Sequence, residues 1–117
     1  MDRGRRSVVM ATARAAVLAF VTALAFVPGA GAADARTHTI AMDGTTFTPE
    51  TLTVKKGDRV TWVNKDPFPH TATAASKAFE SKSVAPGKSW SYTASKPGTF
   101  DYVCSFHPTM KGKLVVE

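Results

Sequence analysis

The stretch Gly98-Thr99-Phe100-Asp101-Tyr102-Val103-Cys104-Ser105-Phe106-His107-Pro108-Thr109-Met110 decides the reading of this chain. Its first half alternates. Phe100, Tyr102 and Cys104 fall on one face of an extended strand, because side chains alternate with period two. Its second half places a cysteine, a histidine and a methionine at three-residue steps, and the cysteine is the only one in the chain. Thiolate and thioether are soft ligands, so the set suits copper better than magnesium or calcium. A trigonal site of two histidines and a cysteine, with a long axial methionine, needs one more histidine. His70, between Pro69 and Thr71, is the candidate. The expected metal ligands are therefore His70, Cys104, His107 and Met110, around a single copper ion.

Working outward, the remaining pattern is β. Thr37-His38-Thr39-Ile40-Ala41-Met42 alternates, and Asp43-Gly44 is a turn signal. Thr51-Leu52-Thr53-Val54 alternates again. Lys56-Gly57-Asp58 turns the chain into Arg59-Val60-Thr61-Trp62-Val63-Asn64. Pro67 and Pro69 interrupt ladder pairing and make 65–69 a loop, after which His70 to Thr73 is extended. Residues 74–83 fit a short helix or a loop equally well. Ser89–Thr93, Thr99–Cys104 and Lys113–Val116 complete the set. Seven or eight short strands with turns about every ten residues, and no long amphipathic helix, predict an all-β Greek-key sandwich. Val60 with Trp62, Trp90 with Tyr92, and Phe100 with Tyr102 are the expected core fillers.

The N-terminal third reads differently. Arg3, Arg5 and Arg6 precede an uncharged apolar run from Ala15 to Val27, then Pro28-Gly29 and the small residues Ala30-Gly31-Ala32-Ala33. That is the layout of a secretory signal peptide, residues 1–33, with cleavage near Ala32 or Ala33. The run falls short of the roughly 20 residues that span a bilayer, and an uncleaved anchor is the alternative. Arg5-Arg6 also fits a twin-arginine signal. The domain proper is then 34–117, periplasmic or otherwise exported. The whole chain carries 15 basic and 9 acidic residues, a net charge of +6. Four of the basic residues and one acidic residue lie in 1–33, so the domain itself is at +3. No basic run resembles a nucleic-acid tract. A lone cysteine in an oxidising compartment is a liability unless something occupies it, and a metal would do so.

No Ser-His-Asp set, paired carboxylates or phosphate loop supports an enzyme. The chain also lacks the second domain and second metal cluster of a copper enzyme such as a nitrite reductase. With four ligands the site is closed, which suits electron transfer and leaves no place for substrate. A copper storage or delivery protein using the same ligands is the alternative. His38, on the first strand, is read as a surface residue.

From Thr37 to Glu117 the chain resembles the cupredoxins, the type 1 blue-copper family, and within it the amicyanin-like group. The resemblance rests on Val60-Thr61-Trp62-Val63-Asn64, Pro69-His70, Gly98-Thr99-Phe100-Asp101-Tyr102, the short Cys104-x-x-His107-x-x-Met110 and Lys111-Gly112-Lys113-Leu114-Val115-Val116-Glu117. The segment around Ala74 to Ser81 looks a few residues shorter than in that group. The resemblance implies that His70 and His107 bind copper through ring nitrogens, Cys104 as thiolate and Met110 weakly and axially. It also implies an Asn64 side chain bonded to the backbone near Ser105, and a Thr71 N–H reaching the Cys104 sulfur. Electrons would leave by His107, inside an apolar collar of Pro67, Phe68, Pro69, Phe106, Pro108 and Thr109. Lys65, Lys111 and Lys113 would rim the collar and steer an acidic partner. The implied partners are transient redox proteins, a donor dehydrogenase or a cytochrome acceptor, and the implied protein is a monomer. His107 would leave the reduced metal on protonation at acidic pH.

Overall fold

A computed structural model describes residues 34–117, and the proposed signal segment lies outside them. Eight strands follow in order: β1 (Thr37–Asp43), β2 (Thr46–Thr48), β3 (Thr51–Val54), β4 (Arg59–Asn64), β5 (Thr73–Ala74), β6 (Ser89–Thr93), β7 (Gly98–Cys104) and β8 (His107–Val116). They form two four-stranded sheets, ordered β2-β1-β4-β6 and β3-β8-β7-β5. The expected Greek-key sandwich is what the chain adopts, with no helix among the described residues. Parallel pairing of β1 with β4 and of β3 with β8 requires crossovers, because parallel neighbours cannot be joined by a tight hairpin.

The core follows from period-two alternation. β4 buries Val60, Trp62 and Asn64, and β7 buries Phe100, Tyr102 and Cys104. Ile40, Met42, Phe47, Met110, Leu114 and Val116 are among the other residues of the interior. Trp90 and Tyr92 pack against it but stay partly exposed, because β6 is an edge strand. Residues 74–83, open between helix and loop, are a turn and irregular loop after Ala74 closes β5, and they bring buried Phe79 within 5.4 Å of the Trp62 ring, centroid to centroid, and 4.9 Å of Tyr92. Each fully buried large apolar side chain contributes about 1.5–3 kcal/mol.

Gly112 pairs with Tyr102 across β7 and β8. A Cβ there would run into Tyr102 Cζ and the phenol oxygen, so the ring packs against bare β8 backbone. Burial pushes the Tyr102 phenol up to about 12. Trp62 Nε1 pulls weakly the other way, yet the two atoms do not meet at hydrogen-bond geometry, and each is buried without a partner.

The ends of the strands set up the site. The residues after Cys104, outside the expected strands 99–104 and 113–116, form a tight hairpin: Cys104 ends β7, His107 opens β8, and the two residues pair directly. The ladder shifts register between Val103 and Cys104, and such a bulge re-aims the side chains beyond it.

Candidate metal centre

Three donor atoms converge where β7 turns into β8. The Cys104 sulfur lies 3.5 Å from His70 Nδ1 and 3.9 Å from His107 Nδ1. All three donors lie within 4.8 Å of one another. His70, proposed from 34 positions away in sequence, is therefore beside the 104–110 segment. Cys104 and His70 are fully buried, whereas His107 is partly exposed. Met110, three residues further along β8, is buried.

The frame around these donors consists of polar contacts with one task each. His70 exchanges backbone hydrogen bonds with Val84, at 3.2 and 2.8 Å. The Thr71 N–H donates to the Cys104 sulfur at 3.3 Å, as the resemblance implied. The Ser105 N–H donates to the Thr71 hydroxyl at 2.8 Å, which fastens the hairpin to the segment after His70. Asn64 needs a correction. Its Nδ2 donates to the carbonyls of Phe68 and Val84, at 2.8 and 2.9 Å, and its Oδ1 accepts the Asp66 N–H. Its polar atoms are spent closing the 64–68 loop and tying it to Val84, and the Thr71 side chain makes the link to Ser105 instead.

Asp66 is the residue that reading the sequence missed. Its Oδ2 lies 2.7 Å from His70 Nε2 and 2.9 Å from the Thr45 N–H, and its Oδ1 accepts the Gly44 N–H at 2.8 Å. Loss of hydration alone would raise its carboxyl, but the Thr45 amide, the His70 ring and the Gly44 amide together hold it below the usual carboxylate range. The available signal was an acid four residues before a candidate ligand. In a loop with two prolines, that spacing does not specify a contact.

Around the partly exposed His107, the rings of Phe68 and Phe106 face solvent, 39% and 52% exposed. The Phe68 ring lies 5.6 Å from that of His107 and 5.1 Å from that of His70. Pro67, Pro69, Pro108 and Thr109 are exposed as well, and so are Lys65, Lys111 and Lys113.

The donor set fits copper. An ionised carboxylate only accepts hydrogen bonds, so the Asp66 contact calls for the proton on His70 Nε2, and in the neutral ring the Nδ1 lone pair then faces the sulfur. Two imidazole nitrogens and one thiolate in a buried pocket are the ligands of a trigonal copper site.

Comparison with known proteins points the same way. A family model described as a cupredoxin-like domain matches residues 14–116. Amicyanin-alpha of Methylorubrum extorquens is 39% identical over 75 residues, which cover 60% of this chain and 62% of that protein. The chain thus spans about three fifths of the length of this relative. Among solved structures, a mutant of amicyanin in the Cu(I) form superposes with a TM-score of 0.66 at 29% identity, covering 69% of this chain and 82% of that one. A copper-containing nitrite reductase from Thermus scotoductus superposes with a TM-score of 0.64 at 32% identity, covering 68% of this chain and 22% of that one.

Proposed function

The chain belongs to the cupredoxin-like family, and from that premise we propose that it carries single electrons between redox proteins on one copper ion. The observation that carries this reading is the convergence of the Cys104 sulfur with Nδ1 of His70 and His107. His70, Cys104 and His107 would hold the ion, with the Met110 thioether as a weaker fourth ligand. Copper, when bound, supplies a one-electron couple.

The chain's own residues do the rest. The Thr71 amide, the Ser105–Thr71 link and the His70–Val84 pairing fix the donors in place before any metal arrives. A frame set in advance limits rearrangement when the electron moves. His107 alone of the three donors reaches the surface, so its ring edge is the electron's exit. Phe68 and Phe106, with Pro67, Pro69 and Pro108, offer a small apolar patch around it. A patch of that kind suits brief docking, where release matters more than affinity. Lys65, Lys111 and Lys113 would steer an acidic partner. A donor dehydrogenase and a cytochrome acceptor are partners of the proposed kind, and the protein would act as a monomer. Among the described residues no helix is long and apolar enough to cross a membrane. Export to the periplasm, with cleavage near Ala33, belongs to this proposal.

Adding cupric ion to the purified protein tests it. The expected result is an intense visible absorption that a one-electron reductant bleaches and an oxidant restores. Copper should also stay bound against a competing chelator, whereas a storage or delivery protein would release it. A colourless, weakly held complex would overturn the proposal.

A further inference from the structure

The His70–Asp66 pair reaches further than a single hydrogen bond. Three donors converge on one carboxylate: the His70 ring and the amides of Gly44 and Thr45. Both turn residues have positive φ, 61° for Gly44 and 58° for Thr45. A non-glycine residue in that region costs on the order of 1 kcal/mol or more. Two successive amides in such a turn form a concave anion cradle. The turn joining β1 to β2 thus holds Asp66, and Asp66 holds His70. The carboxylate is 7% exposed and the ring fully buried, so little water lies between them to screen the charge.

We infer that Asp66 is the positioning residue of the metal centre: it locks His70 in the Nε2–H form with Nδ1 toward the sulfur, and its charge favours the cupric over the cuprous ion. The inference rests on the copper reading above. A carboxylate behind a ligating imidazole fixes the ring and raises its basicity, and removing such a partner typically costs about 10–100-fold in metal affinity. A nearby negative charge also stabilises the more highly charged ion by the larger amount.

Asp66→Asn removes the charge and offers one acceptor oxygen to three donors. Asp66→Glu keeps the charge. With copper bound, Asp66→Asn is expected to bind cupric ion about 10–100-fold more weakly. It should also shift the cuprous-to-cupric affinity ratio about tenfold, raising the potential by about 59 mV. Asp66→Glu should recover most of that shift. In the copper-free proteins, the ring-nitrogen NMR shifts of His70 should show Nε2–H alone in the parent and a mixture of ring forms in Asp66→Asn. Melting curves establish that each variant is folded. If the parent turns blue while Asp66→Asn keeps its potential and its single ring form, the inference fails and the copper reading survives. If the parent binds no copper, the copper reading fails, and the NMR comparison still decides whether Asp66 orients His70.

Discussion

Two histidine–aspartate pairs flank β4, one at each end. Asp58 stands just before the strand and Asp66 just after it. Their local chemistry matches. Asp58 accepts the amides of Arg36 and Lys55, each at 3.0 Å, and meets His38 Nε2 at 2.9 Å. Asp66 accepts the amides of Gly44 and Thr45 and meets His70 Nε2 at 2.7 Å. What differs is the far side of each imidazole. The His70 ring faces a thiol and a second imidazole inside the protein. The His38 side chain is 25% exposed beside a cleft of about 580 Å³, lined by charged groups of both signs from Arg36, Lys55, Lys56, Asp34 and Glu117. A carboxylate behind a histidine therefore orients a ring without making a metal site; convergent soft donors make it. At the His38 end the same motif ties the start of β1 to the 55–58 turn, and His38 is not the simple surface residue it was expected to be.

The largest effects should separate the two ends completely. Cys104→Ser removes the one thiolate facing the two imidazoles, so its copper complex should lose the intense blue absorption entirely. His38→Ala should leave that absorption unchanged. Loss of colour in His38→Ala would mean that the two ends are coupled, and the contrast drawn above would break.

The core between the ends gives the next effect. Gly112→Ala forces a methyl into the Tyr102 ring, and overpacking of this kind costs about 1–3 kcal/mol. Denaturant unfolding should show that loss. The His70, Cys104 and His107 donors should still assemble, because the added methyl strikes first on the Tyr102 ring and not on a donor. A variant as stable as the parent would mean that the ring moves aside freely.

The smallest effect lies in acid. The Asp58 carboxyl falls from 3.8 to about 2, first through the Arg36 amide, then the His38 ring and the Lys55 amide, against the opposing cost of burial. A depressed carboxylate stabilises the fold fully above its unfolded value and loses that contribution as pH falls through its folded value. For the copper-free protein, stability from this pair should thus decline between about pH 4 and pH 2. Asp58→Asn should flatten the acid limb of the stability curve in that window and be less stable than the parent at neutral pH. An acid limb identical in parent and variant would remove Asp58 from the account.

Much of this was legible in the residues. Alternation located β3, β4 and β6 at their observed bounds, and the buried faces of β4 and β7 were read correctly from period two. Cys104, His107 and His70 stood out because few other soft or borderline donors occur in the domain. The 104–110 hairpin was less legible, since Pro108 and the small steps between ligands look like a loop. Asn64 was assigned the wrong partner because its side chain has several carbonyls within reach, and only the closed loop selects among them. Phe79 gave no periodic signal, yet it fills the space beside Trp62 and Tyr102.

The sequence by itself determined the strand pattern and the donor types, because alternation and ligand softness are properties of residues taken along the chain. Only the tertiary structure decided that His70 Nδ1 meets the Cys104 sulfur, that Asp66 and Asp58 each gather two amides and a ring, and that His107 alone of the three donors reaches solvent. Those facts depend on loops closing in three dimensions. A loop's contacts are set by where the sheets hold its ends, and no local spacing encodes that.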